Sequence, residues 1–406
     1  MRPAQPLRGL APRVTDLILF GLLAVLALFC FLANLFSSTR LYAEYEVMRE
    51  ASELASEAMG AIKEYRLESG MGLSGYDTLE TGMIGDGALT SITTTDGNVQ
   101  AKRTSCDANW SAVIVSMFVR AGLKEGDQAA MVFSGSFPAM NICAMAAAQA
   151  YGLDVCLMAS VGASVYGATD PDFTFFDMAE YLCDEGILTH RLDYVSFGGN
   201  DDIGDDFEDE EDIFAGTRTA EEIRASIRSR VEASESTVFI YEPDFGANID
   251  LRLAYLSESV PDIGFLLNVG GSQVGLGTGS AAYISSGYSA PSRFGFLRSD
   301  SLGARNANYG LLQYFHSVGI PVASMLNIKS LASEYGIAYD PDEVQPVGEG
   351  DAYYTTDYGL AIPLAACLVA AACLVVFFFV RRKERRAPES RCLIGRKPGT
   401  WLWDGG

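Results

Sequence analysis

The sequence predicts an α/β domain with a mainly parallel layered sheet, flanked by two transmembrane helices. Three observations lead there. The chain of 406 residues is 49% hydrophobic with a mean hydropathy of +0.14, too apolar for disorder and slightly too apolar for an ordinary soluble protein. The excess sits in two uncharged stretches, residues 17–36 and 360–380, each reaching the ~20 residues that cross a hydrocarbon core as a helix. Between them, six short apolar runs alternate with helical stretches, the pattern of parallel strands covered on both faces by helices.

Taken in order, residues 1–16 form a short N-terminus carrying Arg2, Arg8 and Arg13, followed by the first span. The second span is followed by Arg381-Arg382-Lys383-Glu384-Arg385-Arg386, within a basic tail at 381–406. The positive-inside rule then puts both termini in the cytosol and the intervening part outside. A cleaved signal peptide competes for the first span. Its apolar run is longer than an h-region, and no clear A-x-A site follows it. The net charge of −23 is distributed unevenly: residues 1–36 carry +2, residues 359–406 carry +5, and the outer part carries −30. With no basic face interleaved with aromatics, nucleic acid is excluded as a partner.

Met48, Ala51, Ala55, Ala58, Ile62 and Tyr65 recur at steps of three and four, marking one face of a stalk or packing helix. Residues 70–108 fill with Gly, Ser and Thr and read as a loop, so 37–108 is a stalk-and-loop region. The α/β domain spans 109–341, and 342–359 is a linker. Its apolar runs are AAMVF (129–133), VCLMAS (155–160), DYVSF (193–197), TVFIY (237–241), IGFLLNV (263–269) and PVASMLNI (321–328). Thr174 with Asp177, and Thr219 with Glu222, have capping-box spacing, while Gly186 and Gly336 stand where helices end in a left-handed residue. Cys106, Cys143, Cys156 and Cys183 lie in the outer part; one or two bridges are open to them, with buried free thiols the slightly preferred reading.

In open α/β sheets ligands bind beyond the carboxyl ends of the strands. Here those ends are small and polar: Ser134-Gly135-Ser136, Ser160-Val161-Gly162-Ala163-Ser164, Gly198-Gly199-Asn200-Asp201, Asn268-Val269-Gly270-Gly271-Ser272 and Asn327. Such residues suit tight turns, and together they also suit a shared cleft. Ser136, two residues before Pro138, reads as a helix N-cap or as a nucleophile, the cap being favoured. The surrounding Gly-Ser-Phe-Pro is not a nucleophile elbow. The candidate bases are His190, His316, Lys329 and the acids Asp170 and Asp172, none in a recognisable motif, so no triad is asserted. Gly270 to Gly279 lacks the Lys-Ser/Thr of a phosphate loop. The run 201–212, nine acids in twelve residues within an acidic insertion at 200–215, lacks EF-hand spacing and reads as a solvated loop. No metal site and no particular cofactor is implied.

The blocks GSFPAMN (135–141), ASVGASVYGATDPDFTFFDM (159–178), LLNVGG (266–271) and GIPVASMLNIKSLASEYGIAYDP (319–341), in this order between two spans, resemble the bacterial membrane family called poly-gamma-glutamate system protein. The resemblance implies a membrane-anchored accessory component of a machine that makes, exports or anchors poly-γ-glutamate. Its implied partners are the synthetase, other membrane subunits and the lipid bilayer. It implies functional positions at Ser134, Ser136, Asn141, Ser160, Ser164, Asp170, Asp172, Gly270, Gly271 and Asn327, and it implies no particular reaction. The acidic insertion and the cysteines are not features of the resemblance. A domain carrying −30 repels a polyglutamate chain, over a Debye length of ~8 Å, so contact with the polymer is expected to be weak or to use a local basic spot such as Arg191, Arg218 or Arg224. Two alternatives belong to other classes: a membrane-anchored serine hydrolase or transferase acting on the γ-glutamyl polymer, and a solute-binding or sensory outer domain.

Overall fold

The computed structural model describes residues 14–212, 216–279, 284–290, 308–359 and 361–386. The basic ends beyond these limits, including Trp401 and Trp403, lie outside the described residues. The chain divides into two compact units, residues 1–40 with 355–406, and residues 41–354.

In chain order the elements begin with α1 (Val14–Leu35), β1 (Ser38–Leu41), α2 (Tyr45–Glu68), β2 (Thr93–Thr95), α3 (Val99–Ser105) and α4 (Trp110–Ala121). There follow β3 (Gln128–Ser134), α5 (Pro138–Tyr151), β4 (Asp154–Ser160), β5 (Ala163–Ser164), α6 (Phe175–Asp184), β6 (Tyr194–Ser196), β7 (Glu210–Asp212) and β8 (Gly216–Arg218). The chain continues through α7 (Ala220–Ala233), β9 (Val238–Phe239), α8 (Phe245–Ser259), β10 (Ile263–Val269), α9 (Gln273–Leu276) and β11 (Gly287–Ser289). Last come α10 (Leu311–Ser317), β12 (Val322–Met325), α11 (Ile328–Tyr335), β13 (Tyr354–Asp357) and α12 (Ala361–Arg386).

In the first unit, α1 and α12 pack side by side, and both are long and apolar enough to cross a membrane, with none of their apolar windows buried by protein. Side chains such as Phe20, Phe31, Leu368 and Phe379 stand exposed along them, which water would penalise and lipid would not. Pro363 lies in the first turn of α12, where its missing N–H leaves no helical bond unmade.

The second unit is built on a seven-stranded sheet of order β11-β12-β10-β3-β4-β6-β9, with β11 antiparallel at one edge and the other six strands parallel. These six parallel strands fall in the six apolar runs. The reason is two-sided burial. Along β3, Ala129, Met131 and Phe133 face a core shared with α2, α4, α5, α6, α7 and α11, while Ala130 and Val132 face a second core with α8 and α10. Neither face meets water, so alternation disappears and the runs are continuous.

The crossovers from β3 through α5, α6 and α7 stay on the first face, whereas α8 and α10 lie on the second. Strand order therefore reverses between β3 and β10, a doubly wound arrangement with its switch point there. Both capping boxes form: Asp177 accepts the Thr174 N–H at 2.8 Å, and Glu222 accepts the Thr219 N–H at 2.8 Å. Gly186 and Gly336 adopt left-handed backbone at φ 72° and 71°.

Of the two readings of the periodic helix at 48–65, stalk or packing helix, the second holds: it is α2, which packs on α4 and α5 with Met48, Ala51, Ala55, Ala58 and Ile62 buried, so it is a layer of the domain. The segment 70–108 is not all loop, because it contains β2 and α3. Its glycines suit close packing: a Cβ on Gly97 would stand 2.0 Å from the Val165 carbonyl. Cys106, Cys143 and Cys156 are buried free thiols, and Cys183 is a half-buried one.

Candidate functional site

The loops that follow β3, β4, β6 and β10 meet at the carboxyl edge of the sheet. Ser134, Ser160 and Ser196 stand opposite one another in register across three strands. The turn after β3 leans on the loop after β4: the Gly135 N–H donates to the Ser160 carbonyl at 2.9 Å, and a Cβ on Gly135 would lie 2.4 Å from the Val161 carbonyl. The loop after β4 then forms β5, which pairs in parallel with β2. Tyr166, just beyond, holds φ at +67°, a conformation that costs a side-chain-bearing residue about 1–2 kcal/mol. Gly167 follows it tightly, since a Cβ there would stand 2.9 Å from the Ser136 Cα.

Lys102 of α3 reaches into this junction. It is 2% exposed, and its ammonium donates to the Ser136 carbonyl and to the Ser164 Oγ at 2.7 Å, 4.2 Å above the Phe137 ring. Among the described residues it has no carboxylate partner within 4.0 Å. Burial without a counter-charge brings its pKa down to about 7, with only the Cys106 thiol acting weakly the other way. That thiol is itself pushed up to about 12 by burial, so it is neutral throughout the range in which Lys102 titrates.

The stability consequence has a definite sign. Between about 7 and 10.5 the unfolded chain binds the Lys102 proton and the folded chain does not, so this group's contribution to stability rises with pH across that window. Urea denaturation of the wild type against Lys102→Met is expected to show the wild type gaining up to about 1.4 kcal/mol per pH unit relative to the variant. A difference independent of pH from 7 to 9.5 would show that the folded amine stays charged.

Ser136 is not the N-cap of α5. That position belongs to Phe137, whose side chain makes no capping bond, with Pro138 next. The Ser136 hydroxyl instead accepts the Ser164 N–H at 3.0 Å. The expected bases lie elsewhere: His316 sits 3.2 Å from the Ser289 Oγ, His190 sits 3.2 Å from the Thr189 Oγ1, and the Lys329 ammonium lies over the Tyr339 ring. Ser164, by contrast, has an amine on its hydroxyl. Lys102 was not legible as a site residue, because nothing in its local sequence separates it from Arg103, which turns outward to pair with Asp340 at 2.6 Å.

The switch point lies beside this junction. Gly270 holds φ at +88° directly over Ser134, with the Asn268 amide donating to its carbonyl at 2.8 Å. Ser134 and Ser160 are each 3% exposed and donate long bonds to the Val269 and Phe133 carbonyls, at 3.5 and 3.3 Å. Asn141, fully buried in the first turn of α5, donates to the Ser134 carbonyl at 2.9 Å, while its own Oδ1 has no hydrogen-bond partner among the described residues. Gly271 packs near Leu326. These residues form the floor beneath the loops.

Other expected positions sit apart in their bonding. The Asp170 carboxylate accepts the Asp172 N–H, and Asp172 pairs with Arg218 at 2.8 Å. Asn327 caps α11 by accepting the Ser330 N–H at 3.2 Å. The basic spots offered for the polymer are already paired: Arg191 with Glu180 and Asp184, Arg218 with Asp172 and Glu210, Arg224 with Glu221.

The acidic insertion is not uniformly solvated. Asp202 and Arg252 form an ion pair at 2.6 Å, each side chain 2% exposed, joined by Ser196 and Asn248. Burial pushes the Asp202 carboxyl up and the Arg252 guanidinium pulls it back. The adjoining turn reaches across to α9, where Gln273 accepts the Asp201 N–H at 2.9 Å. Further along, β7 and β8 form a hairpin whose tip, 213–215, lies outside the described residues. A recess of about 440 Å³ between α8 and α10, lined by Leu253, Leu256, Val260, Tyr314 and Phe315, opens near the amino end of β10, away from these loops. Among the described residues no cluster of three or more His, Cys, Asp or Glu has metal-holding geometry.

The chain matches no protein-family model, and no curated protein matches it.

Proposed function

We propose that this chain is a membrane-anchored accessory component of a poly-γ-glutamate synthesis or export system. Its termini lie in the cytosol, and its α/β domain stands on the outer face, beside the synthetase and other membrane subunits. One observation carries this reading. Three of the four blocks behind the resemblance, 135–141, 159–178 and 266–271, include the turns after β3, β4 and β10 that converge at the switch-point edge, where an α/β sheet binds its ligand. The fourth covers β12 and α11. The charge of the outer part favours weak or transient contact with a polyanion, and the paired state of Arg191, Arg218 and Arg224 leaves Lys102 as the basic group without an acidic partner at the loop junction among the described residues.

The test is polymer production by the host, with cell-bound and released fractions assayed separately in a deletion strain. Loss of polymer, or a shift between the fractions that the wild-type gene restores, is expected. An unchanged profile in the deletion strain would sink the reading.

A further inference from the structure

We propose that Ser164 and Lys102 form a nucleophile and base pair for acyl transfer, acting on an amide or ester carbonyl delivered to the junction of the β3 and β4 loops. The choice of a γ-glutamyl amide as substrate rests on the function proposed above; the pair itself does not. Its geometry comes from three separate chain segments. The Lys102 amine on α3 stands 2.7 Å from the Ser164 Oγ on β5, inside the range a proton transfer needs. The amine is held in place by the Ser136 carbonyl and the Phe137 ring, so it has little freedom to turn away. Ser164 is 8% exposed, with the partly exposed Ser136 and Tyr166 beside it, so the pair lies one layer beneath the surface and is sheltered from bulk water.

An uncharged amine at this position does what a histidine does in other serine enzymes. The amine takes the proton from the Ser164 hydroxyl as the oxygen attacks the carbonyl carbon. A C–O bond forms, and the carbonyl electron pair moves to its oxygen. Collapse of the tetrahedral species breaks the C–N bond of an amide or the acyl C–O bond of an ester, and the leaving amine or alkoxide takes its proton from the Lys102 ammonium. The resulting ester on Ser164 is released by water, giving hydrolysis, or by an acceptor amine or hydroxyl, giving transfer; in either case the attacking group's proton passes through Lys102 back to the serine oxygen. No oxidant or co-reactant is needed. The groups in contact with the amine are the hydroxyl of Ser164, the carbonyl of Ser136 and the Phe137 ring, and the titratable group acting on it is the Cys106 thiol, which donates to the Lys102 carbonyl at 3.4 Å. Its protonation follows from burial, as described above, and leaves a substantial share of the amine uncharged at neutral pH.

The test uses the full chain in detergent and a small fluorophosphonate probe, with the modified residue located by mass spectrometry. A single adduct on Ser164 is expected. Its rate of formation should rise with pH and level off above about 8, following the uncharged amine. Lys102→Met and Lys102→Arg should each slow it by about 100-fold or more, which is what losing a positioned base removes, and thermal melts should show both variants folded. A Ser289→Ala variant, on the edge strand β11 away from the junction, should still be modified. No adduct on Ser164 in the folded wild type at pH 9, an adduct on Ser136 instead, or labelling indifferent to Lys102 would each overturn the pair. Incubation with poly-γ-glutamate, read as chain length by gel filtration, is the separate arm. Modification of Ser164 without any shortening or transfer of the polymer would leave the pair standing and remove the γ-glutamyl substrate.

Discussion

Replacing Arg252 with methionine is expected to lower the stability of the α/β domain by about 3–5 kcal/mol, because it leaves a buried carboxylate without its cation. Asp202 is 2% exposed and receives hydrogen bonds from Arg252, Ser196 and Asn248. Without the guanidinium, desolvation of Asp202 is opposed only by the Ser196 and Asn248 hydrogen bonds, and its pKa moves further up. The folded variant then binds a proton that the unfolded chain does not, so its stability falls as pH rises above the ordinary carboxylate range. The loss also reaches the backbone. Asp201 and Asp202 hold φ at 48° and 69°, conformations that cost about 1 kcal/mol or more each away from glycine. The ion pair and the Asp201 N–H bond to Gln273 hold that turn in place. Urea denaturation at pH 5 and pH 8 reads both effects. Adding Asp202→Asn to the variant should recover part of the loss at pH 8, since the buried charge is gone. A single variant within 1 kcal/mol of wild type at pH 8 would show that the pair is dispensable.

A Gly270→Ala substitution is expected to destabilise by about 2–4 kcal/mol, from overpacking and from a positive φ that alanine adopts poorly. The added Cβ would lie 2.1 Å from the Ser134 Oγ, on a backbone held at φ +88°. The serine has nowhere to withdraw, since it is 3% exposed beneath the loop. The steric part is separable. Combining Gly270→Ala with Ser134→Gly removes the obstructing hydroxyl, so the pair should be less damaging than the sum of the two single changes by about 1 kcal/mol or more. Simple additivity in that cycle would mean that the loop relaxes away from Ser134, and that strain at residue 270 is the whole effect. Because this turn closes the switch point between β3 and β10, the same variant is also expected to impair complementation in the deletion strain.

The parts of this fold that were legible in the sequence are those set by short-range rules. Two-sided burial turned six strands into six continuous apolar runs, and capping boxes at Thr174 and Thr219 marked where α6 and α7 begin. The two long apolar helices announced themselves by length and lack of charge. Local rules misled where a distant group competed. Ser136 has N-cap chemistry and a proline two residues on, yet its hydroxyl serves the Ser164 amide from the neighbouring loop. The face of α2 was visible in its spacing, but whether it lined a stalk or a core depended on α4 and α5.

What only the tertiary structure decided is which polar side chains lose water. Lys102 and Arg103 are adjacent and both basic, yet one is buried against residues 34 and 62 positions away in the chain and the other is half-buried in an ion pair with Asp340. Asp202 stands in a run of acids that composition alone describes as solvated, and it becomes a buried partner only because Arg252 arrives on α8, 50 positions later. Hydrophobic period and caps are properties of neighbouring residues, so the sequence by itself determined the six parallel strands, the capped helices and the two long apolar helices. Desolvation, and the reactivity it confers on Lys102, arises from contacts between remote segments and exists only once the loops of β3 and β4 have closed around it.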